Sequence, residues 1–93
     1  MEIEGIIWLE HIIEKLWIKH RVDVDEVEHV FENQPHFRRI ERGDVEGEDL
    51  YTAIGQTGGG RYLVVFFIYK QTHNILIISA RETTQSERRR YAR

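Results

Sequence analysis

A chain of 93 residues with 41% hydrophobic and 11% aromatic side chains has room for one domain, residues 1–93, and this composition excludes a disordered polypeptide. The chain has no cysteine, which excludes a disulfide scaffold and thiolate metal sites and fits a cytoplasmic location. Because the start is acidic and the longest apolar run covers only residues 62–69, we expect neither a signal peptide nor a membrane-spanning segment.

The net charge of −3 conceals an uneven distribution along the chain. Residues 1–60 contain six Lys/Arg and fourteen Asp/Glu, a balance of −8, whereas residues 61–93 contain seven and two, a balance of +5. A locally positive face can collect phosphate groups even on an acidic protein, but a solvated basic tail would give the same count. Composition leaves both interpretations open.

The first third of the chain predicts a strand followed by two helices. Residues 3–9 are typical of a short β-strand, and apolar residues then recur at helical spacing over 10–20. Asp23 is expected to cap a second helix, with Glu26 completing a capping box. This helix should end before Pro35, because the residue that precedes a proline avoids helical geometry.

After Pro35 the pattern changes to strands, predicted over 36–41, 50–54, 61–69 and 75–80, with a loop at 43–47. The third of these strands is apolar almost throughout and is therefore expected at the centre of the sheet. A terminal helix should run from Thr83 or Thr84 to Ala92. A strand, two helices, an antiparallel meander and a helix, in that order, indicate an α+β fold.

The glycine cluster at 55–60 separates two apolar runs. A phosphate-binding loop would need Gly-Lys-Ser/Thr leading into a helix, whereas these glycines lead into Arg61 and a strand, so the segment predicts a hairpin turn. The five histidines have no metal-ligand spacing, and neither Ser79 nor Ser86 lies in a nucleophile elbow. We therefore expect no metal, no cofactor and no serine nucleophile.

Polar residues near the ends of the predicted elements are the remaining candidates for a functional site. Arg88 and Tyr91 are three residues apart and should share one face of the last helix, as a basic and aromatic platform. For each residue taken alone, the sequence favours a surface charge or a boundary ion pair over a functional role. The candidates are Lys19, His20, Glu48, Arg61, Arg81, Arg88 and Tyr91.

Taken together, the ordered motifs resemble the BrnT family of type II toxins, whose fold is similar to that of the RelE ribonucleases. The resemblance covers roughly residues 6–91, and its most specific part is Ser79-Ala80-Arg81 followed by Glu87-Arg88-Arg89-x-Tyr91. The other matching pieces are Trp8-x-Glu10, Lys19-His20-x-Val22, Glu26 to Phe31, Gly47-Glu48, Ile54-Gly55 and Gly60 to Leu63.

This resemblance implies a metal-independent endoribonuclease toxin with a BrnA-type DNA-binding antitoxin, in a complex expected to be a heterotetramer. It also implies that His20, Arg61 and Arg81 are the catalytic groups. The two guanidinium groups suit a phosphorane intermediate, and histidine exchanges a proton near neutral pH. Lys19, Glu48, Arg88 and Tyr91 would contact the flanking RNA.

The sequence departs from the family pattern by apolar residues at four positions that are usually polar. This indicates a divergent member with a smaller polar site or a wider hydrophobic contact surface. Two alternatives to an active toxin follow: an antitoxin-binding module that tunes operon repression, or an RNA-binding domain with Phe66, Phe67 and Tyr69 exposed on strands. The four positions are Ile12, Leu16, Leu50 and Leu76.

Overall fold

The computed structural model describes residues 1–91 and contains three helices and five strands in these residues. The elements in chain order are β1 (Gly5–Ile7), α1 (Glu10–His20), α2 (Val24–Glu32), β2 (His36–Glu41), β3 (Leu50–Gln56), β4 (Tyr62–Tyr69), β5 (Asn74–Glu82) and α3 (Gln85–Tyr91). The α+β prediction is confirmed. The predicted bounds shift by a few residues, and the predicted helix end at Ala92 lies outside the described residues.

The five strands form one mixed sheet in the order β1-β5-β4-β3-β2. The last four strands pair antiparallel, as the predicted meander requires, and β4 lies at the centre. Strand β1 pairs parallel to β5, with Ile6 opposite Ile75. The sequence predicted this strand but not its pairing, because a three-residue strand carries no information about its neighbour.

Local features of the chain mark the start of α2 and the end of α1. The Asp23 side chain accepts a hydrogen bond from the Glu26 amide at 2.8 Å, and the Glu26 side chain accepts one from the Asp23 amide at 3.2 Å. The predicted capping box is therefore present. Helix α1 ends at Arg21, which adopts the left-handed conformation with φ 52°. Its amide bonds back to the last turn of the helix, as in a Schellman-type end.

The core lies between α1, α2 and one surface of the sheet, which we call the helical face. Phe67, Leu63 and Ile77 point into it from the strands and are fully buried. Ile12 and Leu16, two of the four apolar departures, belong to this same core. These two departures from the family pattern therefore lie in the hydrophobic interior and not in an exposed site.

The opposite surface of the sheet, the open face, carries α3 over one end and is otherwise uncovered by helices in the described residues. Cross-strand pairs place Ile54, Val64 and Arg81 side by side on it, with Thr52 and Phe66 in the next row. Side chains alternate between the two faces along a strand, so Phe66 is on the open face while Phe67 is buried in the core. Of the three aromatics weighed for RNA binding, Phe67 is thus excluded.

The glycine cluster forms the predicted hairpin between β3 and β4. The Thr57 amide donates to the Arg61 carbonyl at 2.8 Å, and the Arg61 amide donates to the Thr57 hydroxyl at 3.0 Å. Gly60 adopts a φ of 90°, which favours glycine. Gly55 faces α2, where an added Cβ would lie 3.1 Å from Val30. No helix in residues 1–91 is long and apolar enough to cross a membrane.

Candidate functional site

The sheet divides the predicted site residues into separate groups. Arg61 and the end of α1, with Lys19 and His20, lie on the helical side, where Arg61 bonds the His20 carbonyl. Arg81 lies on the open face, in a groove that Glu87 and Tyr91 of α3 also line. The predicted catalytic trio is thus not assembled around one point.

Arg61 is enclosed by acceptors that belong to the protein itself. Its guanidinium bonds the Arg21 and His20 carbonyls at 2.7 and 2.9 Å and forms ion pairs with Glu26 and Glu82, both at 3.2 Å. Burial lowers the pKa of Arg61, but the two carboxylates outweigh burial and leave this pKa above its ordinary value. All three guanidinium nitrogens are engaged, so Arg61 ties α1, α2 and β5 together.

The other predicted residues on this side are less constrained. Lys19 is exposed, and His20 is half-buried with its backbone carbonyl bound to Arg61. Their catalytic and RNA-binding roles stay predictions.

Glu48 lies at the other end of the sheet, in the loop before β3. Its carboxylate accepts hydrogen bonds from Lys70 Nζ at 2.9 Å and from the Gln71 amide at 3.2 Å. The hydrogen bond from Lys70 is the main cause that lowers the pKa of Glu48. Leu50 at the start of β3 is about 13 Å along the strand from the row that contains Arg81, so Glu48 is remote from that arginine.

Arg81 is held by a two-point ion pair with Glu87 of α3. Nη1 and Nη2 of Arg81 bond the two Glu87 oxygens at 2.9 and 3.0 Å, and Nη1 also bonds the Glu82 carbonyl. The guanidinium lies 5.5 Å from the ring centre of Phe66. Within residues 1–91 no acceptor bonds Nε, so the edge formed by Nε and the second Nη2 hydrogen is available to a ligand.

Glu87 also fixes the start of α3. The Thr84 amide donates to Glu87 at 2.8 Å, and the Glu87 amide donates to the Thr84 hydroxyl, which forms a second capping box. The hydrogen bond from Arg81 is the main cause that lowers the pKa of Glu87 to about 2. One carboxylate thus orients Arg81 and anchors the helix that lies beside it.

The expected platform of Arg88 and Tyr91 is present and has a third member. The guanidinium of Arg88 lies 4.1 Å above the Tyr62 ring centre, and the Tyr91 ring packs edge-on against Tyr62 at 5.9 Å. Tyr91 also contacts the ring of His36 at 4.8 Å. The start of β2 therefore lies beside the platform.

Three residues that the sequence analysis did not select share the groove with Arg81: His36, Arg38 and Arg90. His36 and Arg38 are alternate residues of β2 and are both exposed. Alternation along β2 was the available signal, but β2 is polar on both faces, so the pattern did not tell which side faces the groove. The groove of about 380 Å³ combines this basic rim with an apolar floor that includes Val64 and Phe66.

One group of possible metal ligands lies elsewhere in the described residues. Glu2, Glu4 and His73 each offer a ligand atom within 4.8 Å of the others. Sequence spacing gave no sign of this group, because the three residues meet only through the parallel pairing of β1 with β5. The two carboxylates are exposed and remote from the groove, and such clusters are common on protein surfaces without an ion.

Fold and groove together define a class: a small α+β protein of RelE-like architecture, with α1 and α2 on one face of the sheet and an arginine-rich groove beside α3 on the other. The family model described as the ribonuclease toxin BrnT of type II toxin–antitoxin systems matches residues 8–87. The chain belongs to this family. Arg81 lies inside the matched range, whereas Arg88 and Tyr91 lie just beyond it.

The fold is also that of a solved relative. The crystal structure of the Brucella abortus ribonuclease toxin BrnT, determined at 1.1 Å resolution, superposes with a TM-score of 0.60 at 22% identity. The alignment covers 87% of this chain and 97% of the Brucella chain. A comparison with curated protein sequences gives no match.

Proposed function

We propose that this chain is a metal-independent endoribonuclease toxin that cleaves RNA in the open-face groove. The observation that carries the proposal is the geometry of Arg81. Its terminal edge is occupied by Glu87, while its Nε has no partner among residues 1–91, and Arg81 lines a groove with two further arginines. A guanidinium edge with two parallel donors matches two oxygens of a phosphate.

The proposed reaction uses the 2′-hydroxyl of RNA as the nucleophile. The bond from the 2′-oxygen to phosphorus forms and the bond from phosphorus to the 5′-oxygen breaks, which leaves a 2′,3′-cyclic phosphate. A base on the protein takes the 2′-hydroxyl proton, and an acid returns a proton to the departing 5′-oxygen. Arg81 stabilises the extra negative charge that the phosphorane carries, and Arg38 adds positive charge across the groove.

His36 is the proton-transfer group that this site favours. It lines the same groove as Arg81, and its ring is held by contact with Tyr91. Histidine exchanges protons near neutral pH, which suits it to act as base or acid. His20, the residue implied by the family pattern, is the alternative and would act from the helical side together with Arg61.

Arg88 and Tyr91 are proposed to hold the RNA beside the cleaved bond. A base can stack on the tyrosine pair, and the exposed guanidinium can pair with a flanking phosphate. Lys19 and Glu48 would meet RNA only outside the groove. The proposal therefore assigns them to the periphery of the complex.

As a type II toxin, the chain is proposed to act in the cytoplasm and to be neutralised by a BrnA-type DNA-binding antitoxin, as a heterotetramer. One observation favours the alternative of an interaction module without strong activity. Leu50, Ile68 and Leu76 form a half-buried apolar row across three strands at the far end of the open face. Two of these residues, Leu50 and Leu76, are apolar departures at positions that are usually polar in the family pattern, so this end of the open face is less polar than that pattern implies.

The test is inducible expression of the wild type and of Arg81→Ala, read out as growth and RNA integrity. We expect the wild type to arrest growth and degrade RNA, and Arg81→Ala to reduce cleavage by at least about a hundredfold because a donor to the transition state is lost. Arg39→Ala is the matched control, because within residues 1–91 this exposed arginine forms one ion pair, with Asp49 at 3.6 Å. Circular dichroism would verify that each variant folds.

Growth arrest with intact RNA would reject the ribonuclease function. Full cleavage by Arg81→Ala would reject the open-face site and leave the helical-side group as the candidate. Absence of both arrest and cleavage in the wild type, with antitoxin binding retained, would identify the interaction module.

A further inference from the structure

A second concave surface lies on the helical side of the molecule, between α1 and α2. It has a volume of about 940 Å³ and differs in chemistry from the open-face groove. Its floor is apolar, from Ile13, Trp17, Ile18 and Val24, and its rim is acidic, from Glu10, Glu14, Asp23 and Asp25. The lining contains no lysine, arginine or histidine from residues 1–91. We call it the acidic groove.

Two large residues of the apolar floor are exposed to solvent. Trp17 is 49% and Ile18 is 68% accessible, although both lie on a helix whose opposite side is fully buried. Single exposed apolar residues are ordinary, but adjacent large ones inside a concave surface are typical of a contact site. Their exposure costs stability in the isolated chain, and a partner that covers them would recover that loss.

The rim charges are not neutralised within the described residues. No ion pair engages Glu10, Glu14, Asp23 or Asp25 there. Glu10 and Glu14 are four residues apart on one helix face, where like charges repel each other. Acidic side chains around an apolar floor repel nucleic acid and attract a positively charged partner.

Trp17 shows the kind of contact that such a partner would make. The guanidinium of Arg21, at the end of α1, lies 5.1 Å from the Trp17 ring centre. The indole ring therefore already accepts a cation on one face. A partner with arginine or lysine beside apolar residues would cover the apolar floor and pair with the acidic rim.

We propose that the acidic groove is a docking site for a basic amphipathic helix of a partner protein. The apolar side of the helix would cover Trp17 and Ile18, and its lysines or arginines would pair with Glu10, Glu14 and Asp25. A DNA-binding antitoxin is rich in such residues, so it is the partner in which we expect this helix. That last identification rests on the proposed function; the docking chemistry does not.

The first experiment tests the surface directly, by fluorescence anisotropy at physiological salt. The probe is a labelled synthetic peptide of about 18 residues with leucine on one helical face and lysine on the other. We expect saturable binding to the wild type and none for the same peptide with glutamate in place of lysine. Glu14→Lys and Ile18→Ser should each weaken binding by about tenfold.

Each variant has a matched control in the loop before β3. Glu46→Lys makes the same change in net charge, and Val45→Ser removes an apolar side chain that is 56% exposed. Both controls should bind the lysine peptide as the wild type does. An equal loss in Glu46→Lys would show nonspecific attraction and overturn the proposal, as would unchanged binding by Glu14→Lys and Ile18→Ser.

The second experiment separates this proposal from the ribonuclease function. A toxin with both Glu14→Lys and Ile18→Ser should cleave RNA as the wild type does but escape neutralisation by the protein encoded beside it. Neutralisation as strong as that of the wild type would overturn the antitoxin assignment. Loss of cleavage in Arg81→Ala tests the other face and leaves peptide binding unchanged. Dimerisation that Glu14→Lys abolishes would instead identify a second copy as the occupant and overturn the proposal.

Discussion

The two faces of the sheet use arginine in opposite ways. Arg61, on the helical side, bonds two backbone carbonyls and two carboxylates, and each of its nitrogens is engaged. Arg81, on the open face, is held along one edge by Glu87. The difference shows that a charged residue at a strand end is not a site by itself. Within residues 1–91 every guanidinium nitrogen of Arg61 has an acceptor, whereas Nε of Arg81 has none, and the proposed RNA contact is assigned to Arg81 for that reason.

Substitution of His36 on the open face and of His20 on the helical side gives the largest expected difference between the two faces. If the open face is the catalytic surface, His36→Ala should lower the cleavage rate by about a hundredfold, because a proton-transfer group is lost, while His20→Ala should have little effect. The measurement is the initial rate of cleavage of a labelled RNA by purified protein across pH 5–9. A loss that follows His20 instead would move the reaction to the helical side.

Arg61→Ala tests the other half of the comparison. Loss of this arginine leaves Glu26 and two backbone carbonyls without their partner, so we expect the free energy of unfolding to fall by about 2 kcal/mol. Arg39→Ala, which removes a 58% exposed arginine from a longer ion pair of 3.6 Å with Asp49, should cost about 0.5 kcal/mol or less. Urea denaturation measures both. Unchanged stability together with lost cleavage would show that Arg61 acts on RNA.

The pair of Arg81 and Glu87 predicts a smaller effect that depends on pH. Because folding lowers the pKa of Glu87 from 4.5 to about 2, its contribution to stability is complete above pH 4.5 and is lost as the pH falls toward 2. Arg81 is 36% exposed, so solvent screening reduces this contribution to about 1 kcal/mol.

The check is the free energy of unfolding of the wild type and of Glu87→Gln between pH 2 and 6. The difference between the two proteins should be largest above pH 4.5 and should vanish near pH 2. A difference that is independent of pH would show that the carboxylate charge does not anchor α3.

The distribution of charge also follows the two faces. The acidic first part of the chain supplies the rim of the groove between α1 and α2, including Glu10 and Glu14. The basic last part supplies Arg81 and Arg90 on the open face, where Arg38 from the acidic part joins them. A solvated basic tail, one interpretation of the +5 balance of residues 61–93, therefore accounts for only part of the positive charge. Two surfaces of opposite chemistry lie on opposite sides of one sheet.

Much of the fold follows from local sequence. The apolar spacing of α1, the capping box of Asp23 and Glu26, and the glycine hairpin were all predicted, because each depends on residues close together in the chain. The central position of β4 followed from its continuous apolar run. Motif order also led to the BrnT family, to which the chain belongs. In each case the signal is contained in one short segment or in the order of several.

The candidate site depended on contacts between distant segments. His36 and Tyr91 are 55 positions apart in the sequence, yet their rings lie 4.8 Å apart. Arg61 and Arg81 look alike as strand-end arginines, and the sheet separates them because side chains alternate between its faces. The sequence by itself determined the elements, the central position of β4 and the family. Only the tertiary structure decided which charged residues pair within the protein and which converge on a groove, because register and packing set those distances.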